Sequence, residues 1–133
     1  MTDLFVDTSA WFDVLVPRQP STEAIEKILY DSRWRLVTTD FVIDEVMTLL
    51  KARKQFGRRA DVWRFLNDPN FVSLCKVSES DWEATFRIFS RFVDKGWSFT
   101  DCSSLAVMNR RGIQNACSLD KHFREFGNVT VLP

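Results

Sequence analysis

Short continuous apolar runs alternate along the chain with stretches whose apolar residues recur at helical spacing. Leu4-Phe5-Val6 is one such run, and it ends on Asp7, Thr8 and Ser9. It reads as a buried strand that delivers Asp7 at its carboxyl end. Thr8 or Ser9 then caps a short helix from Ala10 to Val16, stopped by Pro17. Pro20-Ser21 opens a second helix, with Ser21 as its cap and Ala24, Ile25, Ile28 and Leu29 as its stripe. Arg35 to Thr38 predicts a strand, and Thr39 or Asp40 caps a helix from Phe41 to about Lys54. Gln55-Phe56-Gly57 breaks that helix, and another runs from Arg58 to Asn67, before Pro69.

Phe71 to Val77 predicts a third strand. Ser78 and Asp81 match a capping box, which opens an aromatic-rich helix through Phe86, Phe89 and Phe92 that ends near Gly96. A further helix begins around Phe99-Thr100-Asp101 and closes at Gly112. Gln114 to Ser118 is strand-like and leads to Asp120, and Val129 to Leu132 is the last strand. The alternation predicts an α/β layer fold with a mainly parallel sheet. Ligands of such sheets bind outside the carboxyl ends of the strands. Asp7 and Asp120 both fall at such ends.

Composition narrows the picture. At 133 residues and 45% hydrophobic content, with no repeats or linkers, residues 1–133 are expected to form one domain with a real core. Eighteen acids balance eighteen bases, so any nucleic-acid footprint must be local. Cys75, Cys102 and Cys117 are odd in number and in no metal-ligand spacing, which predicts buried thiols in a reducing compartment. The N-terminus lacks a basic leader, and no run approaches the ~18 apolar residues of a membrane span. A cytoplasmic protein is expected.

Four acids are candidates for chemistry. On a helical wheel Phe41, Val42, Ile43, Val46, Met47, Leu49 and Leu50 define an apolar side. Glu45 falls at its edge, aimed toward the body of the protein, whereas Asp44 points to the polar side. Glu45 could equally be a boundary residue whose head reaches water. Asp101 could simply complement a helix dipole, Asp7 could form a turn and Asp120 could cap a helix. Taken together, four carboxylates near one sheet edge would repel, and some would take up protons. Mg²⁺ or Mn²⁺, hard ions that prefer carboxylate and water, remove that penalty and can activate a water against a phosphodiester. No Cys/His set in the sequence favours zinc.

Val6-Asp7-Thr8-Ser9-Ala10, Phe41-Val42-Ile43-Asp44-Glu45-Val46, Ser98-Phe99-Thr100-Asp101 and Ser118-Leu119-Asp120-Lys121-His122-Phe123 follow one another in order. In these motifs the whole chain resembles a PIN-domain ribonuclease of the toxin type found in VapBC toxin–antitoxin modules. The resemblance implies a three-layer α/β/α fold and a Mg²⁺- or Mn²⁺-dependent endoribonuclease whose catalytic acids are Asp7, Glu45, Asp101 and Asp120. Asp7 and Asp101 match the positions most directly tied to the metal. Glu45 and Asp120 match those that hold its waters or a second ion, and Thr8 and Thr100 would orient carboxylates. The implied partners are an RNA substrate, a cognate antitoxin and a second copy of the chain as homodimer.

Other features have two readings. The basic run Lys51 to Arg59 is either a solvated helix end or a grip on the RNA backbone, and Asn109-Arg110-Arg111 poses the same choice. His122 reads as a surface or capping residue, not a general acid. Trp82, Phe86, Phe89 and Phe92 read as core or as a self-association face. Among competing functions, a phospho-acceptor receiver module leaves Glu45 without a role. A phosphatase of the haloacid dehalogenase type needs an acid where Ser9 stands. A PIN-like domain that binds RNA or protein without cutting is the alternative closest to the first reading.

Overall fold

Leu4, Phe5 and Val6 are all fully buried because their strand lies at the centre of a sheet covered on both faces. A computed structural model describes residues 1–16 and 20–133 of the chain. Within them the elements run β1 (Thr2–Val6), α1 (Thr8–Leu15), α2 (Thr22–Leu29), β2 (Trp34–Thr39), α3 (Asp40–Ala52), a 3-10 turn (Phe56–Arg58) and α4 (Arg59–Leu66). They continue with β3 (Ser73–Cys75), α5 (Glu79–Arg91), α6 (Phe99–Arg111), β4 (Asn115–Cys117), α7 (Lys121–Glu125) and β5 (Thr130–Leu132). The architecture is α/β/α, and the sheet expected to be mainly parallel is parallel at every pairing.

The strand order is β3-β2-β1-β4-β5. The chain therefore builds outward from β1 in one direction, then returns to build in the other. β1 registers Phe5 against Val37 of β2 and against Ala116 of β4. This reversal makes the carboxyl ends of β1 and β4 the switch point of the sheet, the place where ligands of such sheets bind. Asp7 follows β1 there and Ser118 follows β4, and the Asp7 amide donates to the Cys117 carbonyl at 3.0 Å.

Several boundaries differ from the sequence reading. Neither Thr8 nor Ser9 caps α1: both lie inside it, and Asp7 holds the N-cap position. Ser21 makes no capping bond on α2, because its hydroxyl donates instead to Asp13 Oδ1 at 2.8 Å. The third strand shrinks to Ser73–Cys75, and α5 stops at Arg91, before the exposed turn to Gly96. The stop expected at Pro17 lies outside the described residues. Thr39 does cap α3, accepting from the Val42 amide, and Gly112 closes α6 at φ 66°, where a side chain would be strained. The three cysteines are free and buried. Burial pushes the Cys102 thiol up to about 11 and the Cys117 thiol to about 12. No described helix is long and apolar enough to cross a membrane.

Helix α5 is fastened to α6 by a charge. Asp81 closes the predicted capping box of α5, exchanging bonds with Ser78. The same buried carboxylate receives Arg110 in a bidentate pair, Nε at 2.7 Å and Nη2 at 2.8 Å. The Arg110 guanidinium holds the Asp81 carboxyl below its usual range. Arg110 and Arg111 also donate to Cys75 Sγ, each at 3.4 Å. Arg110 is thus engaged by Asp81, while Arg111 is exposed beyond its contact with Cys75. Arg110→Ala would leave Asp81 buried and unpaired. Because the guanidinium is partly exposed, the expected loss is discounted to about 2 kcal/mol in urea unfolding at neutral pH. A variant as stable as the parent would show that the pair contributes nothing.

Candidate active site

The site is assembled from four elements that end or begin at the switch point. β1 supplies Asp7, which is buried because its strand is. The Asp7 carboxylate is held by two hydroxyls: Ser118 Oγ donates to Oδ2 at 3.0 Å and Ser9 Oγ at 3.3 Å. Ser9 in turn accepts the Leu119 amide at 2.9 Å, which ties α1 to the segment after β4. The sequence points to Thr8, Ser9 and Thr100 as orienting hydroxyls; Ser9 does this for Asp7, and so does Ser118, whose distance of 111 positions from Asp7 leaves no local signal.

α6 supplies Asp101 from its first turn. Ser98 and Asp101 form a second capping box, with Ser98 Oγ accepting the Asp101 amide at 3.0 Å and Asp101 Oδ2 accepting the Ser98 amide at 2.9 Å. The hydroxyl-x-x-acid pattern was present in the sequence. It was read at Ser78 and overlooked here. Asp101 is thus both a first-turn residue and a member of the cluster, so the two readings were not exclusive. The same holds for Asp120, which caps α7 by accepting the His122 amide at 2.9 Å.

α3 supplies Glu45, half-buried as the wheel predicted, with Asp44 exposed beside it. Burial raises the Glu45 carboxyl above its usual range. The Thr8 hydroxyl beside it acts in the opposite sense, while the charges of Asp101, Asp120 and Asp44 add to the rise. The buried Thr8 hydroxyl has no partner at hydrogen-bond geometry.

His122 is half-buried, with its ring turned toward the acids. Its Nδ1 lies 2.9 Å from Asp101 Oδ2 and 3.4 Å from Asp120 Oδ1. Asp101, Asp120 and His122 each offer a ligand atom, all within 4.8 Å of one another. Among the described residues this is the tightest such donor set, so a single nitrogen joins a cluster expected to be all oxygen. The capping reading of His122 holds for its amide, which donates to Asp120, while its half-buried ring turns back toward α6.

Asp7 and Glu45 join through charge. Burial first, then the negative charges of Asp101 and Glu45, push Asp7 up to about 7, against the pull of the Thr8 amide and the Ser118 hydroxyl. Asp7 thus feels Asp101 and Glu45, and Glu45 feels Asp101 and Asp120, whereas the donor set close enough to share one ion is Asp101, Asp120 and His122. Carboxylates crowded in this way, one of them held toward its neutral form, suit a divalent cation with oxygen ligands. The donor types of Asp7, Glu45, Asp101 and Asp120 fit Mg²⁺ or Mn²⁺.

The Asp7 shift has a definite sign. A carboxyl whose folded pKa is raised contributes stability that is full below its ordinary value of 3.8 and is lost as pH rises through about 7. In EDTA at pH 8, Asp7→Asn is expected to melt above the parent, and the gap should narrow as pH falls toward 4. Equal melting temperatures across that range would contradict the burial of a strained carboxylate.

Comparison with known proteins agrees with this geometry. Residues 4–129 match the PIN domain model. The chain is 33% identical over 132 residues, 98% of each chain, to the 23S rRNA-specific endonuclease VapC20 of Mycobacterium tuberculosis. The crystal structure of M. tuberculosis VapC20, described as a sarcin-ricin loop cleaving toxin, superposes with a TM-score of 0.88 at 27% identity, covering 98% of this chain and 99% of that one. VapBC2 from Rickettsia felis, bound to a DNA fragment from its promoter, shares the fold with a TM-score of 0.73 at 10% identity, covering 98% and 97%. The chain belongs to the PIN-domain family, among its VapC-type members.

Proposed function

We propose that this chain is a metal-dependent endoribonuclease, the toxin of a toxin–antitoxin pair, acting at the carboxyl edge of its sheet. The observation that supports the reading is the mutual influence of the charges of Asp7, Glu45, Asp101 and Asp120, beside the close set Asp101, Asp120 and His122, in a chain similar to an RNA endonuclease over 98% of its length. Asp7 and Asp101 would hold Mg²⁺ or Mn²⁺. Such an ion, when bound, supplies activation of water and charge stabilisation at phosphorus. Ser9 and Ser118 hold Asp7 in place, and Ser98 with His122 holds Asp101. Glu45 and Asp120 orient the attacking water through hydrogen bonds. The relative that is 33% identical is named for cutting 23S rRNA, so ribosomal RNA is the first substrate to test.

The rest of the reading concerns partners and setting. Residues 1–133 act as one domain in the cytoplasm, held in check by a cognate antitoxin. Trp82, Phe86 and Phe89 of α5 are exposed, whereas Phe92, just after α5, packs on the core against Trp97. Trp82 and Phe89 each pack edge-on against Phe99, at 5.6 and 5.5 Å between centroids, and Phe41 extends the strip. We assign this aromatic strip to a homodimer contact.

RNA cleavage is expected only with Mg²⁺ or Mn²⁺, and either Asp7→Asn or Asp101→Asn should abolish it. Full activity in EDTA or in either variant would sink the assignment. His122→Ala should slow cleavage by about 10- to 100-fold, the usual effect of removing a group that orients a metal-binding carboxylate. A rate equal to the parent's would make its position incidental.

A further inference from the structure

The basic run Lys51 to Arg59 contains five cations and no acid, in a chain of zero net charge. Lys51, Arg53, Lys54, Arg58 and Arg59 are all exposed. Among the described residues none of them forms an ion pair; the nearby Asp61 is paired with Arg64. A solvated helix end accounts for only part of the run. Lys51 sits in the last turn of α3, where a cation complements the dipole. Arg58 and Arg59 sit at the N-cap and first position of α4, where the dipole is positive and a cation is unfavourable. Two exposed cations placed against that local rule are therefore not explained by the helix dipole.

Aromatic rings lie among these charges. Phe56 and Trp63 are 50% and 52% exposed. The Arg59 guanidinium stands 4.3 Å from the Phe56 ring centroid, and the Lys51 ammonium stands 5.9 Å from it. Phe56, Trp63, Lys51 and Arg59 line a groove of about 630 Å³ between α3 and α4, with Thr48 and Ala52 on its α3 wall. The α3 wall of the groove, Met47, Thr48, Lys51 and Ala52, follows Asp44 by three, four, seven and eight positions, so it continues the face of Asp44, the exposed neighbour of Glu45. Lys51 is about 9 Å along the axis from Glu45. The groove therefore runs along the face of α3 next to the one that carries Glu45.

We propose that this groove is a binding track for unpaired nucleotides of the RNA substrate beside the scissile bond. Phe56 and Trp63 stack on bases, and Lys51, Arg58 and Arg59 hold phosphates. Rings interleaved with cations suit single-stranded nucleic acid, since every base has a face to stack and every nucleotide a charge to neutralise. The inference rests on the endoribonuclease reading above.

The test uses the full chain carrying Asp7→Asn, in EDTA, with a fluorescein-labelled unpaired 12-nucleotide RNA of mixed sequence as the probe, followed by anisotropy. Phe56→Ala should weaken binding roughly tenfold and leave the salt dependence unchanged. The double variant Arg58→Gln with Arg59→Gln should weaken binding and lower the slope of log affinity against log salt by about 1. These two arginines are exposed, so the double variant tests the track even if Phe56→Ala fails to fold. Variants that bind RNA as the parent does overturn the track, and all the more so if they lose a protein partner instead. A parent that does not bind RNA overturns the endoribonuclease reading itself.

Discussion

The structure depends on the burial of one carboxylate. A central parallel strand must be apolar on both faces, and Leu4, Phe5 and Val6 satisfy that requirement. The next residue, Asp7, inherits the burial without the apolar side chain. It lies where the order of strands reverses, so the helices that follow β1 and β2 and the turn after β4 converge on it. Ser9 and Ser118 stabilise its charged form, and Glu45 and Asp101 oppose it. Burial and the neighbouring charges push Asp7 up to about 7, and a divalent cation bound there would offset the repulsion.

The elements that surround Asp7 are fixed by ordinary means. Asp101 is held by a capping box and Asp120 is itself a cap, so both acids owe their positions to helix starts. This economy explains why each had a bland reading in the sequence. An acid that caps a helix at the carboxyl edge of a sheet is already aimed at the switch point. His122 extends the arrangement, since its backbone amide binds Asp120 and its ring reaches Asp101.

What could be read from sequence followed the range of the interaction. The alternation of strands and helices, the capping box at Ser78, the cap at Thr39 and the inward edge of α3 at Glu45 are local patterns, and the structure has them. Asp81 with Arg110, 29 positions apart, has no such pattern, and neither does Ser9 with Ser118. His122 was read only in part for the same reason: its near neighbours suggest a cap, which its amide makes, and only the fold brings α6 beside its ring. The two basic clusters show the distinction clearly. Arg110 is absorbed by a buried acid, whereas the cations from Lys51 to Arg59 meet no acid and remain available to a ligand.

The central claim is that the crowded acids form a cation site whose occupation drives a proton from Asp7. Calorimetric titration of the full chain with Mn²⁺, in two buffers of different ionisation enthalpy, counts that proton. The account predicts binding with proton release at pH 6 that fades as the pH is raised well past 7. Absence of binding, or binding whose heat is the same in both buffers at pH 6, would contradict it.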